Sequence, residues 1–366
     1  MNVLSLFDGS ACTRVALDKL RIPVTRYYAS EIDKYAIKVA MKNYPDIVQV
    51  GDVSNLHTEN GIWWSSKRGI DPIKIDLLVG GSPCQGFSFA GKQLNFDDPR
   101  SKLFWEYVRL LRELKPTYFL LENVRMKQEY QDVISDALGV KPIAINSRLM
   151  SAQNRYRLYW TNIPNVTQPD DKGIVLQDIL EHGFADRDKS HCLDANYFKG
   201  GNLKTYFTKH RRQLVFSSDG LCHVGDADIK GNDSIKRVYH PSGKAPTLTT
   251  MGGGHREPKI LCGAWRGRYT VDGVRQDHKH SVKGMTAQRL EVRRAAKTNS
   301  LTTVQKDNVA VDVSELQWRK LTPLECERLQ TLPDNYTNHV SNTQRYKMLG
   351  NGFTVDVIAH ILKGIK

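Results

Sequence analysis

From Asn2 to about Ile163 short apolar runs alternate with stretches of helical periodicity, and this alternation narrows the fold more than any other feature of the chain. The expected strands are Val3 to Phe7, Tyr27 to Ser30, Ile47 to Val50, Asp76 to Val79, Tyr118 to Leu121, Ile143 to Asn146 and Arg157 to Asn162. Such a pattern predicts an α/β domain, a parallel sheet covered by helices. Leu103, Tyr107, Leu110, Leu111 and Leu114 recur at three- and four-residue spacing, which predicts one helix with this stripe packed on the core.

Past about Val166 the pattern breaks into short pieces rich in Gly, His, Lys, Arg and aromatic residues. Turn signals stand at Lys199-Gly200-Gly201, Pro241-Ser242-Gly243 and Gly252-Gly253-Gly254. Regular patterning resumes near Leu321, and Phe353 to Ile365 reads as a closing apolar helix. With 366 residues, two lobes are expected: a domain at 1–166, a second, irregular one at 167–315, and a segment at 316–366 that returns to the first. The stretches 244–250 and 297–303 echo each other weakly and read as two similar loops or strand edges.

A formal net charge of +14 favours a polyanionic partner, because each neutralised phosphate releases counterions and the gain sums over the interface. The six cysteines, Cys12, Cys84, Cys192, Cys222, Cys262 and Cys326, include no Cys-x-x-Cys pair, so neither a zinc site nor a disulfide framework is expected. No apolar stretch is long enough to span a bilayer and no leader pattern opens the chain, so the expectation is a soluble cytoplasmic protein without a membrane partner; a monomer is expected as well.

The first strand runs into Phe7-Asp8-Gly9-Ser10-Ala11-Cys12-Thr13, a turn that offers backbone N–H groups and a helix start to a ligand. A full Gly-x-Gly-x-x-Gly is absent, which counts against a dinucleotide. Glu31-Ile32 after the second strand and Asp52-Val53 after the third are spaced to meet the ribose and the base of an adenosine. Each acid alone reads equally well as an ordinary strand-end residue.

In Asp76-Leu-Leu-Val-Gly-Gly-Ser-Pro-Cys-Gln-Gly86 a buried strand ends in Gly80-Gly81, and Pro83 fixes the backbone so that Cys84 projects into the expected ligand crevice. A structural cysteine belongs inside the apolar run; one at this edge is placed to act as a thiolate. One strand later Glu122-Asn-Val124 supplies a carboxyl for proton work, or a helix cap. Gln153-Asn-Arg-Tyr-Arg157 adds the guanidinium groups of Arg155 and Arg157, two residues apart and so directed alike on a strand, or else a solvated basic edge.

In this order these segments resemble the cytosine-C5 DNA methyltransferase family, in the variants carried by bacteria and phages. The likeness runs through Leu6-Phe-Asp-Gly9, Glu31, Asp52, Gly81-Ser-Pro-Cys-Gln85, Glu122-Asn-Val124 and Gln153-Asn-Arg-Tyr-Arg157. It ends in Arg319 to Asp334 and in Gly350-Asn351-Gly352 with Phe353 after it. It covers both ends of the chain and leaves the middle as a target-recognition domain.

The resemblance implies a Rossmann-like S-adenosylmethionine-dependent sheet, S-adenosyl-L-methionine as cofactor, no metal, double-stranded DNA as partner and methylation at a specific short sequence. A cognate restriction endonuclease belongs to the same expectation. It implies Cys84, Glu122, Arg155 and Arg157 as catalytic residues, with a covalent bond from Cys84 to C6 of a flipped cytosine. Gln85, Ser88, Thr249, Gly252, Gly253, Arg256, Arg266 and Arg268 are expected on DNA, among basic residues interleaved with aromatic ones.

One position departs from the pattern: Thr13 stands where the family's first cofactor turn has a second glycine. The change is compatible with tolerance, with weaker cofactor affinity or with an altered S-adenosyl donor. Two alternatives stay open, a catalytically silent DNA-binding paralogue and an RNA cytosine-C5 methyltransferase.

Overall fold

The computed structural model describes residues 1–59, 62–65, 73–82, 102–203, 206, 209–216, 223–226, 237–239, 259–260, 263–268, 270–271, 274–275, 287–292, 308–309 and 318–365, with the backbone alone for 62–65 and for the strands between 223 and 309. Among the described residues, nine strands belong to the first half: β1 (Asn2–Leu6), β2 (Arg26–Ser30), β3 (Val48–Gln49), β4 (Leu56–Glu59), β5 (Ile62–Ser65), β6 (Leu77–Gly80), β7 (Tyr118–Val124), β8 (Ile143–Asn146) and β9 (Tyr156–Thr161). Seven of them form one sheet in the order β3-β2-β1-β6-β7-β9-β8, while β4 and β5 make a separate hairpin that the sequence reading did not foresee.

Pairing is parallel from β3 through β7, but β9 runs antiparallel to both β7 and β8. The sheet is therefore mixed, which corrects the expectation of a parallel one. Residues 147–155 between β8 and β9 are too few for a crossover helix, so the chain turns back on itself.

Side chains alternate across the sheet and feed two apolar clusters. On one face Val3, Tyr27, Val79 and Leu120 pack with α1 (Cys12–Lys19) and α2 (Lys34–Asn43). On the other, Leu4, Leu6, Leu78 and Leu121 pack with α3 (Lys102–Leu114) and α4 (Gln128–Leu138). The expected α3 stripe faces that second cluster: Tyr107, Leu110 and Leu114 are buried, with Leu103 and Leu111 packed against them. Phe104, also fully buried, widens the stripe beyond the sequence reading.

The C-terminal segment forms α5 (Pro323–Leu329), α6 (Asn342–Asn351) and α7 (Val355–Leu362). Thr322 starts α5 with a capping box, its hydroxyl accepting from the Glu325 N–H while the Glu325 side chain accepts from the Thr322 N–H. Buried Val355, Ile358 and Leu362 of α7 join the α1 face of the sheet.

Residues 167–216 depart from the domain boundary drawn at 166. Leu176, Ile179, Leu193, Tyr197 and Val215 share one apolar cluster with Leu321, Cys326, Leu329 and Tyr346. Style of sequence suggested a separate lobe here because the stretch has turns and 3-10 pieces rather than long helices. β10 (Leu214–Phe216) then pairs antiparallel with a strand formed by Trp318–Lys320.

Between them the backbone shows β11 (His223–Asp226), β12 (Arg237–Tyr239) and β13 (Lys259–Ile260) in one small sheet. β14 (Gly263–Arg268), β17 (Ala287–Val292) and β18 (Asn308–Val309) form another, and β15 (Thr270–Val271) pairs with β16 (Val274–Arg275). Trp318–Lys320 is β19. The two echoing stretches at 244–250 and 297–303 lie outside the described residues. Among the described residues no helix is long and apolar enough to cross a membrane.

Candidate active site

The carboxyl end of the sheet is where this topology gathers side chains. After β1 the backbone takes left-handed conformations at Phe7 (φ 56°), Gly9 (φ 61°) and Ala11 (φ 63°), the last being the N-cap of α1. Two of these are not glycine, and such residues hold the conformation at a cost only because surrounding contacts fix it. Glu31 supplies the contacts: its Oε2 accepts from Gly9 N at 2.8 Å, and its Oε1 from Ile32 N at 2.7 Å and Asp33 N at 2.8 Å. From the other end of the chain, Tyr336 donates its hydroxyl to the Ser10 carbonyl at 2.7 Å.

Ile32, next to Glu31, is 74% exposed, a large apolar side chain left bare beside an acid. That pairing fits an adenosine, whose base needs an apolar contact and whose ribose needs an acceptor. Asp52 is exposed and accepts from Ser54 N at 2.9 Å, capping the 3-10 turn that starts with buried Val53. Thr13, in place of the glycine, is buried in the first turn of α1, and its hydroxyl oxygen has no partner in hydrogen-bonding geometry among the described residues.

Beneath the turn lies Asp8, with Tyr27 donating to its Oδ1 at 2.6 Å and its Oδ2 without a partner among the described residues. Burial pushes the Asp8 carboxyl up to about 7; hydrogen bonds from Ser5 and Tyr27 oppose this, and the charge of Glu31 adds to it. Burial likewise pushes the Cys12 thiol up to about 11.

Gly81 and Ser82 follow β6 into the same edge. A Cβ on Gly81 would lie 2.8 Å from the Phe353 ring and 3.4 Å from Glu122 Oε2, so only glycine lets these two segments meet. Asn123 donates to Ser82 Oγ at 3.3 Å. Glu122 itself is buried near the end of β7 and forms an ion pair with Arg157, Nε to Oε1 at 2.8 Å. It does not cap a helix, since α4 begins after Lys127.

The guanidinium groups of Arg155 and Arg157 both approach Cys192 Sγ, at 3.5 and 4.0 Å, as the two-residue spacing predicts. Their other partners differ. Arg155 is turned away from Glu122 and donates to the carbonyls of Leu193 (3.1 Å), Gly350 (3.2 Å) and Gly352 (2.9 Å). Thus Arg155 braces the segment Gly350-Asn351-Gly352, with Asn351 exposed at the end of α6, and of the two arginines it is Arg157 that pairs with the carboxylate.

Gly350 also lets the chain at Asp194 come close, since a Cβ there would lie 2.3 Å from the Asp194 carbonyl carbon. Cys192 and this contact escaped the sequence reading, for neither residue lies in a recognisable spacing. Pro83, Cys84, Gln85, Ser88, Thr249, Gly252, Gly253 and Arg256 lie outside the described residues. Arg266 and Arg268 are described by backbone alone, in β14.

An α/β sheet parallel from β3 through β7, with a tight turn after β1 and a buried carboxylate near the end of β7, is a Rossmann-like methyltransferase fold. Residues 1–138 and 146–366 match the family described as C-5 cytosine-specific DNA methylase, and the chain belongs to that family. It is a DNA cytosine-5 methyltransferase.

Similar to it are the orphan methyltransferase M.SPBetaI of Bacillus phage SPbeta, 28% identical over 99% of this chain and 97% of that protein, and the type II methyltransferase M1.ScrFI of Lactococcus lactis subsp. cremoris, 27% identical over 97% and 75%. A crystal structure of an E. coli prophage protein described as a DNA modification methyltransferase shares the fold, with a TM-score of 0.53 and 20% identity over 100% of this chain and 98% of that one.

Proposed function

We propose that the chain transfers the methyl group of S-adenosyl-L-methionine to C5 of a cytosine flipped out of duplex DNA, within a specific short sequence, using Cys84 as nucleophile. The observation that carries this reading is the meeting of Gly81, Glu122 and Phe353: the backbone leading to Cys84 leaves β6 directly beside the buried carboxylate.

C5 of cytosine is too electron-poor to attack a methyl group until a nucleophile adds at C6. In this reading the Cys84 thiolate forms the S–C6 bond and turns C5 into an enamine-like carbon. Glu122, in its protonated form, donates to N3 and accepts from the 4-amino group, while Arg157 orients Glu122 and offers N–H groups to O2. The donor, when bound, supplies an electrophilic methyl group. Loss of the C5 proton and cleavage of the S–C6 bond then release the product and the thiol.

Phe7 to Thr13, Glu31-Ile32, Asp52-Val53, Gly81, Pro83 and Asn351-Gly352-Phe353 are proposed to hold the donor, with Arg155 as a positioning residue for the last of these. Residues 217–317 are proposed as the target-recognition domain, and the net charge of +14 as the source of phosphate affinity. A monomer acting in the cytoplasm, with a cognate restriction endonuclease as partner, completes the proposal.

The test is a duplex carrying 5-fluorocytosine at a methylated site, incubated with S-adenosyl-L-methionine. Fluorine blocks the final elimination, so a covalent complex is expected from the wild type and none from Cys84→Ala. Absence of trapping at a site that the wild type methylates would sink the mechanism. Sequencing the DNA of an expressing host for protected cytosines identifies the target, and comparing transfer to duplex DNA with transfer to transfer RNA tests the substrate class.

A further inference from the structure

Arg125 immediately follows β7, three residues beyond Glu122, and its guanidinium carbon lies 5.7 Å from the centre of the Tyr156 ring. Tyr156 opens β9 and is 41% exposed. The two residues lie across from each other because Val124 pairs with Arg157 in the antiparallel register. They point to the sheet face opposite Glu122 and Arg157, at the same catalytic edge.

Both are held from beneath. Met126, next to Arg125, is buried, and its carbonyl accepts from Gln131 Nε2 at 3.0 Å. Tyr156 stands between the braced Arg155 and the ion-paired Arg157, which also donates to the Tyr156 carbonyl at 2.9 Å. Arg125 makes no ion pair among the described residues, whereas Arg109, Arg157 and Arg187 each pair with a carboxylate. A guanidinium held over a ring by cation–π attraction uses none of its N–H groups on that contact, so they remain to take a phosphate with two parallel hydrogen bonds.

We propose that Arg125, oriented by Tyr156, grips a phosphodiester flanking the flipped nucleotide. The inference rests on the reading that Glu122 receives that nucleotide: three extended residues reach about 10 Å, which sets Arg125 beside the pocket rather than in it. A phosphate contact of this kind carries no sequence information; it fixes register and contributes through counterion release. Tyr156 is the positioning residue and Arg125 the one that touches substrate.

The test is duplex binding by the full chain across a series of salt concentrations. Arg125→Ala is expected to weaken binding by about three- to tenfold and to lower the slope of log affinity against log salt by about 0.9, the loss of one phosphate contact. Arg125→Lys keeps the charge and should restore the slope without the full affinity. Tyr156→Ala should weaken binding, and the Arg125→Ala/Tyr156→Ala double variant should be no weaker than Arg125→Ala.

A methylphosphonate at the flanking position should reproduce the loss in the wild type and add nothing to Arg125→Ala. An unchanged salt slope in Arg125→Ala, or additive effects of the neutral linkage on either side of the target, overturns the proposal. Trapping by 5-fluorocytosine separates the two readings, since it fails only if the covalent mechanism fails and does not depend on the salt slope.

Discussion

Arg157 and Glu122 form an ion pair that joins β9 to β7, 2.8 Å from Nε to Oε1, with 13% and 11% of their side chains exposed. A pair this sheltered holds its geometry before substrate arrives. Glu122→Gln keeps the shape but cannot hand over a proton, so we predict transfer slower by about 10²-fold or more with duplex binding nearly unchanged. Single-turnover methylation beside a binding titration measures both; equal rates in variant and wild type would remove Glu122 from the chemistry.

Arg155 answers a different question, since its partners are backbone carbonyls of Leu193, Gly350 and Gly352. Arg155 reaches these carbonyls from two separate nitrogens of its planar fork, whereas the three N–H groups of a lysine radiate from a single nitrogen and cannot match that spread. Arg155→Lys should therefore cost about 2–3 kcal/mol in urea unfolding and weaken S-adenosylhomocysteine binding in calorimetry. Loss of transfer with stability and ligand affinity intact would mean that Arg155 acts on the base after all.

A Cβ added at Gly81 would lie 2.8 Å from the Phe353 ring, so a methyl group has no room there. Gly81→Ala is expected to cost about 1–3 kcal/mol through displacement of the ring and to reduce donor affinity. Adding Phe353→Leu should recover part of both losses in thermal melts and ligand titrations. Failure of the smaller ring substitute to recover anything would show that the contact is not the cause.

Asp8 gives the protein a pH signature of its own. Its carboxyl is raised to about 7 by burial, above the ordinary value of 3.8, so between these values the folded chain keeps a proton that the unfolded chain releases. This contribution to stability is greatest on the acid side and is lost as pH rises toward 7. Asp8→Asn should flatten that descent and raise the melting temperature most at pH 8. Parallel pH curves for variant and wild type would contradict it.

Seven strands of the sheet were legible because their apolar runs are short and bounded by turn residues, and Ile143–Asn146 agrees residue for residue. Strand direction was not legible: nothing in Arg157 to Asn162 tells a parallel from an antiparallel neighbour, and only the length of the connection at 147–155 does. The turn at Gly9, the acid at Glu31 and the carboxylate at Glu122 were read from position at strand ends. The partition between Arg155 and Arg157 was hidden, because it depends on carbonyls nearly two hundred residues away in sequence. Burial of 167–216 was hidden too, its apolar residues falling on turns without a period.

The pairing of Leu214 with Lys320 and of Phe216 with Trp318 makes a narrow neck. Whatever lies between enters and leaves through two adjacent strands, so its length and sequence can change without altering the distance that the sheet must bridge. Exchanging the stretch 217–317 for that of a relative, cut at this neck, is thus a topologically neutral graft. A cut at residue 167 instead would carry away Leu176, Leu193 and Tyr197, and with them part of the floor on which the helices of the C-terminal segment rest.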